Sequence, residues 1–175
     1  KEEKRFQIQV LDVGQGDGIY IESDAGTEIF VDGGSVDVSE VGKYRIQPFL
    51  KSHGVKEVDY WFVSHCDADH CNGLMELLEA DVPIKHLVFS KYVLRDEAQE
   101  ELVALAKRKG CQVLYLEEGE CFRDASVRIQ AMYPSEKSVE GERNADSLVL
   151  LLEHEAFRGL LTGDIGQEQE KKFIE

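Results

Sequence analysis

An apolar run at residues 60–63, YWFV, passes directly into the polar segment SHCDADHC. A short apolar run bounded by polar residues is typical of a buried β-strand. The polar segment contains two imidazoles and two carboxylates, those of His65, Asp67, Asp69 and His70. Their spacing does not place all four side chains on one face of a helix. We therefore expect a strand that ends and curls into a helix, so that this 65–70 cluster turns inward around two nearby centres.

Three interpretations of the 65–70 cluster are open: a polar loop of accidental composition, a structural knot of ion pairs, and a metal site. Protonated histidines could neutralise the carboxylates, but such a knot leaves several buried polar atoms without partners. A bound metal satisfies these lone pairs, and imidazole and carboxylate are ordinary ligands of divalent cations. The cluster therefore favours a metal site.

The four cysteines form neither a CxxC pair nor the spacing of a zinc ribbon; they stand at positions 66, 71, 111 and 121. Cys66 and Cys71 flank the 65–70 cluster and could be ligands, although small buried thiols are commoner. Four free thiols favour a reducing compartment.

Hydrophobic patterns predict strands that first alternate with helices and later pair with each other. The predicted strands are 6–11, 18–21, 28–31, 58–63, 84–89, 112–116, 127–133, 147–153 and 157–162. The predicted helices are 42–53, 73–79, the segment between an Asp96 cap and Gly110, and one that starts near Gln167. The segment DVGQGDG runs GxGxG into a strand, whereas a dinucleotide-binding loop runs GxGxxG into a helix. The sequence therefore predicts an α/β (α+β) layered fold with functional residues where strands end, and it argues against a dinucleotide site.

The length of 175 residues suits a single domain, 1–175. The net charge of −15 disfavours extended contact with a nucleic-acid duplex, although a bound cation pair reverses the local field around a phosphodiester. No apolar run approaches the roughly 20 residues that cross a bilayer, so we expect no transmembrane segment. The first residues lack the apolar core of a signal peptide. Localisation is left open, since a soluble domain can stand alone in the cytoplasm or be attached to a membrane protein.

Several segments of the chain together resemble a known family. They are LDVGQGD at 11–17, FVDGG at 30–34, QPFLKSHGVKEVDYWFVSHCDADHCNGL at 47–74, NADSLVLLLEH at 144–154 and LLTGD at 160–164. HCDADH after an apolar strand resembles the HxHxDH signature of the metallo-β-lactamase fold, with Asp67 in place of the second histidine. In this order, the segments resemble the soluble metallo-β-lactamase-like domain of the ComEC family of DNA-uptake proteins. The resemblance covers nearly the whole chain and implies an αββα sandwich that is truncated at its C-terminus.

The resemblance also implies a pair of divalent metal ions, Mn or Zn, and assigns ligands by position. His65 and Asp67 would bind the first ion, and Asp69 and His70 the second. Asp164 matches the carboxylate that bridges the two ions. Asp69 is also the predicted catalytic residue, which holds or receives the proton of a water that the ions activate.

Three further positions are assigned in the same way. Asp32 and Asp17 are expected to support the ligand loops, although Asp32 could equally be a cap on the turn of two glycines that follows it. Asn144 stands where the superfamily has a third metal-binding histidine and is expected on the substrate side of the site. The family carries a further histidine-containing segment after TGD, whereas this sequence ends at Glu175, so we expect an incomplete ligand set and weak or partial metal occupancy.

The leading hypothesis is a metal-dependent phosphodiesterase or nuclease that acts on DNA during uptake through a metal-bound hydroxide. The reaction class follows from the 65–70 cluster, whereas DNA as substrate, and tethering to a membrane channel domain, come only from the resemblance. A first alternative is a small-molecule hydrolase of a lactone, thioester or cyclic phosphodiester, which the acidic composition favours. A second alternative is a non-catalytic module that uses the same fold to bind a partner.

Overall fold

Ten strands and four α-helices occur in residues 5–173, the part of the chain that this computed structural model describes. The strands are β1 (Gln7–Val10), β2 (Gly18–Glu22), β3 (Glu28–Asp32), β4 (Val58–Phe62), β5 (Ile84–Ser90), β6 (Gln112–Leu116), β7 (Cys121–Arg123), β8 (Arg128–Tyr133), β9 (Val149–His154) and β10 (Phe157–Leu161). The helices are α1 (Gln47–Ser52), α2 (Ala68–Glu79), α3 (Glu97–Arg108) and α4 (Gln167–Glu170). A π-helical turn, Gly42–Ile46, precedes α1, and a 3₁₀ turn, Lys171–Phe173, follows α4. None of these helices has both the length and the apolar character that a bilayer crossing requires.

The strands form two sheets, one mixed and one antiparallel. The first contains β1 to β6 in chain order: β1 to β3 are antiparallel, whereas β3 to β6 are parallel. The second has the order β10-β9-β8-β7 and is antiparallel throughout. Parallel neighbours need crossover connections, which the helices α1, α2 and α3 supply. The carboxyl ends of β3, β4 and β5 therefore meet at one edge of the first sheet.

Alternate side chains of the first sheet divide the interior into two cores, because successive residues of a strand point to opposite faces. Phe30 and Trp61 stack at 4.3 Å between ring centroids and pack in the core beneath the helices. Phe62 belongs to the core between the two sheets, together with Leu150 of β9. On the outer face of the second sheet, Phe173 packs near Tyr133 and Val149. These layers confirm the predicted α/β architecture.

The helix predicted at 73–79 is the clearest error of the sequence analysis, since α2 begins earlier, at Ala68. Asp67 has extended backbone angles, and its carbonyl accepts hydrogen bonds from the backbone N–H groups of His70 and Cys71. The first turn of α2 therefore contains Asp69 and His70. Polar residues at a helix start carry no apolar periodicity, which is why the pattern placed the start too late. The short strand β7 was also not predicted, whereas the Asp96 cap of α3 is confirmed, because its carboxylate accepts the N–H of Gln99 at 3.0 Å.

The glycine-rich segment before β2 packs against the start of α2. A Cβ atom added at Gly16 would lie 2.3 Å from the carbonyl oxygen of Gly34, and one at Gly34 would lie 2.4 Å from that of Ala68. Backbone hydrogen bonds of 3.1 Å join the same loops, from Asp17 N–H to the Asp69 carbonyl and from Gly34 N–H to the Asp17 carbonyl. The GxGxG pattern is therefore explained by close backbone packing beside the 65–70 cluster.

Replacing Gly34 with alanine is expected to lower the free energy of unfolding by about 1–3 kcal/mol, because overpacking against backbone cannot be relieved locally. Gly166→Ala is the matched control, since its added Cβ meets the side-chain oxygen of Gln169 at 3.3 Å rather than backbone. Urea denaturation followed by circular dichroism measures both. Equal, small losses in the two variants would contradict the close-packing explanation.

Candidate metal centre

The ends of the parallel strands β3 and β4 lie side by side, which brings Asp32 next to Ser64. The backbone N–H and the hydroxyl of Ser64 donate hydrogen bonds to the two carboxylate oxygens of Asp32, each at 2.8 Å. The Nδ1 atom of His70 lies 3.0 Å from Oδ2 of the same carboxylate. Asp32 has a φ of 56°, a left-handed conformation that aspartate tolerates better than most residues. One buried carboxylate therefore holds both the start of the cluster loop and an imidazole from α2.

His65 lies beside His70 in the buried part of the site, with 4.1 Å between the ring centroids. Its Nδ1 atom lies 3.0 Å from the hydroxyl oxygen of Ser64 and 3.2 Å from that of Ser147. Its other ring nitrogen, Nε2, is buried and has no hydrogen-bond partner among residues 5–173. A buried nitrogen without a partner is costly, so this atom is suited to a ligand that the protein itself does not provide.

Asp164 reaches the two histidines from the second sheet, three residues after β10 ends. The preceding Gly163 has a φ of 52°, and a Cβ atom there would lie only 2.8 Å from Cβ of Ser64. This close approach places Oδ1 of Asp164 3.4 Å from Nε2 of His70. One potential ligand atom from each of His65, His70 and Asp164 lies within 4.8 Å of the others. Residues far apart in the chain thus converge on one point.

A second group of potential ligands shares His70 with the first and adds Asp17 and Asp32, again within 4.8 Å. Oδ2 of Asp17 lies 3.9 Å from Nδ1 of His70. Because the contact with Asp32 already occupies Nδ1, we assign this second group to the orientation of His70. Metal-binding histidines usually donate their other ring N–H to a carboxylate in this way.

Three of the predicted site residues, Asp67, Asp69 and Asn144, are not among the converging ligand atoms of these two groups. Asp67 has Oδ2 at 3.6 Å from Nε2 of His65, but its Oδ1 accepts a hydrogen bond from Arg143 at 2.6 Å. Asp69 belongs to neither group of converging ligand atoms, and Asn144 is exposed. The predicted roles of these three residues in a dinuclear centre therefore stay predictions.

The sequence patterns did not indicate Ser64, Ser147 or Arg143 as site residues. Ser64 is adjacent to the 65–70 cluster, and Ser147 opens the SLVL segment, but a single serine carries no distinctive spacing. The contact between Ser147 and His65 joins residues 82 positions apart, and that between Arg143 and Asp67 joins residues 76 positions apart. Separations of this size leave no local pattern in the sequence.

The electrostatics of the site separate the two histidines. Burial, together with the neighbouring charge of His70, lowers the pKa of His65 and favours the neutral form that binds metals. Burial would also lower the pKa of His70, but the hydrogen bond and charge of Asp32, with the charges of Asp164 and Asp17, raise it to about 9. Burial and the nearby charge of Asp32 raise the pKa of Asp17. Crowded carboxylates of this kind are stabilised by a bound cation.

The residues present fit a divalent metal ion. Two imidazoles and a carboxylate are a common donor set for zinc and related metals. His65 contributes a buried nitrogen without a partner, and the hydrogen bond to Asp32 leaves Nε2 of His70 facing Asp164. The side chain of Asp164 is 41 % exposed, so the centre is open on that side.

Two stacked sheets with helices outside and a cluster of His and Asp at the strand ends define the metallo-β-lactamase fold, and this chain has that fold. YhfI of Bacillus subtilis, a metallo-β-lactamase fold protein, aligns with a TM-score of 0.63 at 14% identity over 92% of this chain and 60% of its own. Zn²⁺-bound PqqB from Methylobacterium extorquens aligns at 0.57 and 12% identity, covering 83% and 52%. CmlA, a diiron β-hydroxylase from Streptomyces venezuelae, aligns at 0.58 and 16% identity, covering 97% and 32%. Identities this low show the fold alone.

The sequence is similar to that of ComE operon protein 3 of Bacillus subtilis (strain 168), with 25% identity over an alignment of 181 residues that covers 96% of this chain. The chain spans 23% of the length of that relative. No family model matches the chain. The predicted resemblance is therefore confirmed in sequence and in fold.

Replacing Asp32 with asparagine is expected to weaken Mn²⁺ or Zn²⁺ binding about 10–100-fold, the usual cost of losing the partner of a metal-binding histidine. The amide nitrogen cannot accept the hydrogen bonds that Oδ2 accepts. Asp24→Asn is the matched control. The carboxylate of Asp24 also pairs with a histidine, since its Oδ2 lies 2.8 Å from Nε2 of His154, but this pair is not part of the site. Calorimetric metal titration measures both variants. Unchanged affinity in Asp32→Asn, or an equal loss in the control, contradicts the assignment.

Proposed function

We propose that the protein is a metal-dependent phosphodiesterase whose substrate is DNA. The observation that carries this proposal is the convergence of His65, His70 and Asp164 within 4.8 Å, around a buried imidazole nitrogen that lacks a partner. The fold is one that metal-dependent hydrolases use, which supports hydrolysis. DNA as the substrate is supported only by the similarity to ComE operon protein 3 and by the ComEC motifs.

Within this proposal, His65 and Asp67 would hold one divalent metal ion, Mn or Zn, Asp69 and His70 would hold a second, and Asp164 would complete the ligand set. Such ions, when bound, lower the pKa of a coordinated water and polarise the phosphoryl oxygen. The relatives that share the fold include a zinc-bound and a diiron protein, so the fold by itself accommodates different metals.

The chain's own residues orient the centre and handle the proton. Asp32 fixes the ring of His70 through its Nδ1 atom. The hydroxyl groups of Ser64 and Ser147 hold the ring of His65 through the Nδ1 atom of that histidine. Asp69 is proposed to accept the proton of the attacking water, because it stands next to His70 in the first turn of α2 and is only partly buried. The buried histidines close the inner side of the centre to bulk water, and Asp164 borders the open side.

Hydrolysis of a small molecule is the second candidate, and the net charge of −15 favours it. A strongly acidic surface repels a long polyanion but has less effect on a lactone, a thioester or a small cyclic phosphodiester. Turnover of such compounds without cleavage of DNA would support this candidate.

The test is cleavage of single-stranded DNA by the full-length protein with added Mn²⁺ or Zn²⁺. Asp164→Asn is expected to reduce the rate more than about a hundredfold, since loss of a ligand costs more than loss of a residue that supports one. Asp81→Asn is the matched control, because Asp81 is 80 % exposed and pairs with Lys109.

Two results would contradict the proposal. Failure of the wild-type protein to bind either metal leaves only the interpretation of a non-catalytic partner-binding module. Metal binding without DNA cleavage, combined with turnover of a neutral ester, assigns the protein to the small-molecule class instead.

A further inference from the structure

Arg143 places a guanidinium group at the edge of the candidate metal centre. It lies in the loop before β9, and its Nη1 donates a hydrogen bond to Oδ1 of Asp67 at 2.6 Å. Its Nε donates to Oδ2 of Asp96 at 2.5 Å, and Asp96 is the residue that caps α3. The side chain of Arg143 is 35 % exposed. The guanidinium is therefore held at both ends and still faces solvent.

We propose that Arg143 binds a non-bridging oxygen of the substrate phosphate and so selects an anionic phosphodiester over a neutral ester. This inference rests on the proposed function, because it names the group that recognises the substrate at the same site. It adds a substrate-binding residue that the sequence motifs do not contain.

The donor count of the side chain permits this role. A guanidinium carries five N–H groups in a planar fork. Nε and Nη1 each donate one hydrogen bond, to Asp96 and Asp67, and Nη2 lies 2.5 Å from the same oxygen of Asp96, so by count at least one N–H of each terminal nitrogen takes no part in these hydrogen bonds. Paired donors of this kind match the oxygens of a phosphate, and arginine is the usual residue for such recognition.

The charge balance of the site gives the second argument. Five carboxylates surround the centre, those of Asp17, Asp32, Asp67, Asp69 and Asp164. A pair of divalent ions contributes four positive charges, which is less than these carboxylates contribute in negative charge. With two divalent ions in place, these carboxylates still leave one formal negative charge, in a chain whose total charge is already −15.

Arg143 places a positive group beside Asp67 at the solvent-exposed side of the centre. The carboxylate of Asp96 balances this charge formally, but it also fixes the guanidinium, so that little side-chain entropy is lost when a phosphate binds. A preorganised donor beside the metal ligands is suited to an anion that reaches the centre from solvent.

A purely structural role is the competing explanation, in which Arg143 only ties Asp67 to α3. The two explanations differ in what is lost when the guanidinium is removed. A substrate-binding role predicts loss of phosphate binding with metal binding intact. A structural role predicts loss of metal binding first, with phosphate binding lost as a consequence.

The test is the binding of inorganic phosphate to the full-length protein loaded with Mn²⁺, together with the Mn content of each variant. Arg143→Gln is expected to bind phosphate about 10–100-fold more weakly, the range for loss of a hydrogen bond to a charged group, with Mn content unchanged. Arg158→Gln is the matched control, because Arg158 is 76 % exposed and pairs with Glu153 on the second sheet. Calorimetric titration measures the affinity for phosphate, and elemental analysis of the dialysed protein measures the Mn content.

Arg143→Lys provides the second variant, which keeps the charge and loses the fork. We expect it to retain Mn and to bind phosphate with an affinity between those of the wild type and Arg143→Gln. If Arg143→Gln does not fold, Arg143→Lys replaces it in the test. Phosphate binding equal to that of the wild type in a folded variant overturns the inference. A fall in Mn content that parallels the fall in phosphate binding also overturns it, because Arg143 then acts only through Asp67.

Phosphate binding separates this inference from the proposed function. A Mn-loaded wild type that binds phosphate through Arg143 but cleaves no DNA leaves the inference standing and contradicts the function. The inference alone is contradicted if the wild type cleaves DNA and the Arg143 variants keep both its phosphate affinity and its KM for DNA. A Mn-loaded wild type that binds no phosphate overturns the inference directly.

Discussion

The buried carboxylate of Asp32 is the interaction on which the site depends. It lies at the end of β3 and accepts hydrogen bonds from the backbone and hydroxyl of Ser64, while its Oδ2 contacts Nδ1 of His70. The carbonyl of Ser64 in turn accepts a hydrogen bond of 2.8 Å from the N–H of Leu148, the residue directly before β9 of the second sheet. Both sheets are thus tied to the same short segment. A buried network of this kind is stable only when its members are satisfied together, which ties the position of the histidines to the packing of the sheets.

Close backbone packing gives these loops their geometry. Glycine at positions 16 and 34 lets the loop before β2 and the loop after β3 lie against the start of α2, and Gly163 lets the turn after β10 approach Ser64. In such a tightly satisfied region, the unpartnered Nε2 of His65 is an exception that needs an explanation. A metal ligand role accounts for the orphaned nitrogen, its burial and its orientation at the same time.

Acidity is the feature that a phosphodiesterase built on this chain has to overcome. The carboxylates that suit a cation also repel an anionic substrate, and the surface as a whole carries an excess of negative charge. Arg143 lies within a few ångströms of both needs, since it contacts the carboxylate of Asp67. The guanidinium balances that carboxylate in the resting protein, and in the inference proposed above it would also bind the anion.

The sequence by itself determined what local patterns can encode: the strand at 58–62, the capped helix α3, the layered α/β class and the gathering of imidazole and carboxylate after Phe62. It misplaced the start of α2, because residues 68–70, ADH, have helical geometry without apolar periodicity. The resemblance to ComEC singled out Asp164, but only the tertiary structure brought it to His70 and Arg143 to Asp67. Those contacts depend on how two sheets pack across separations of more than seventy residues, and no local pattern of side chains records such packing.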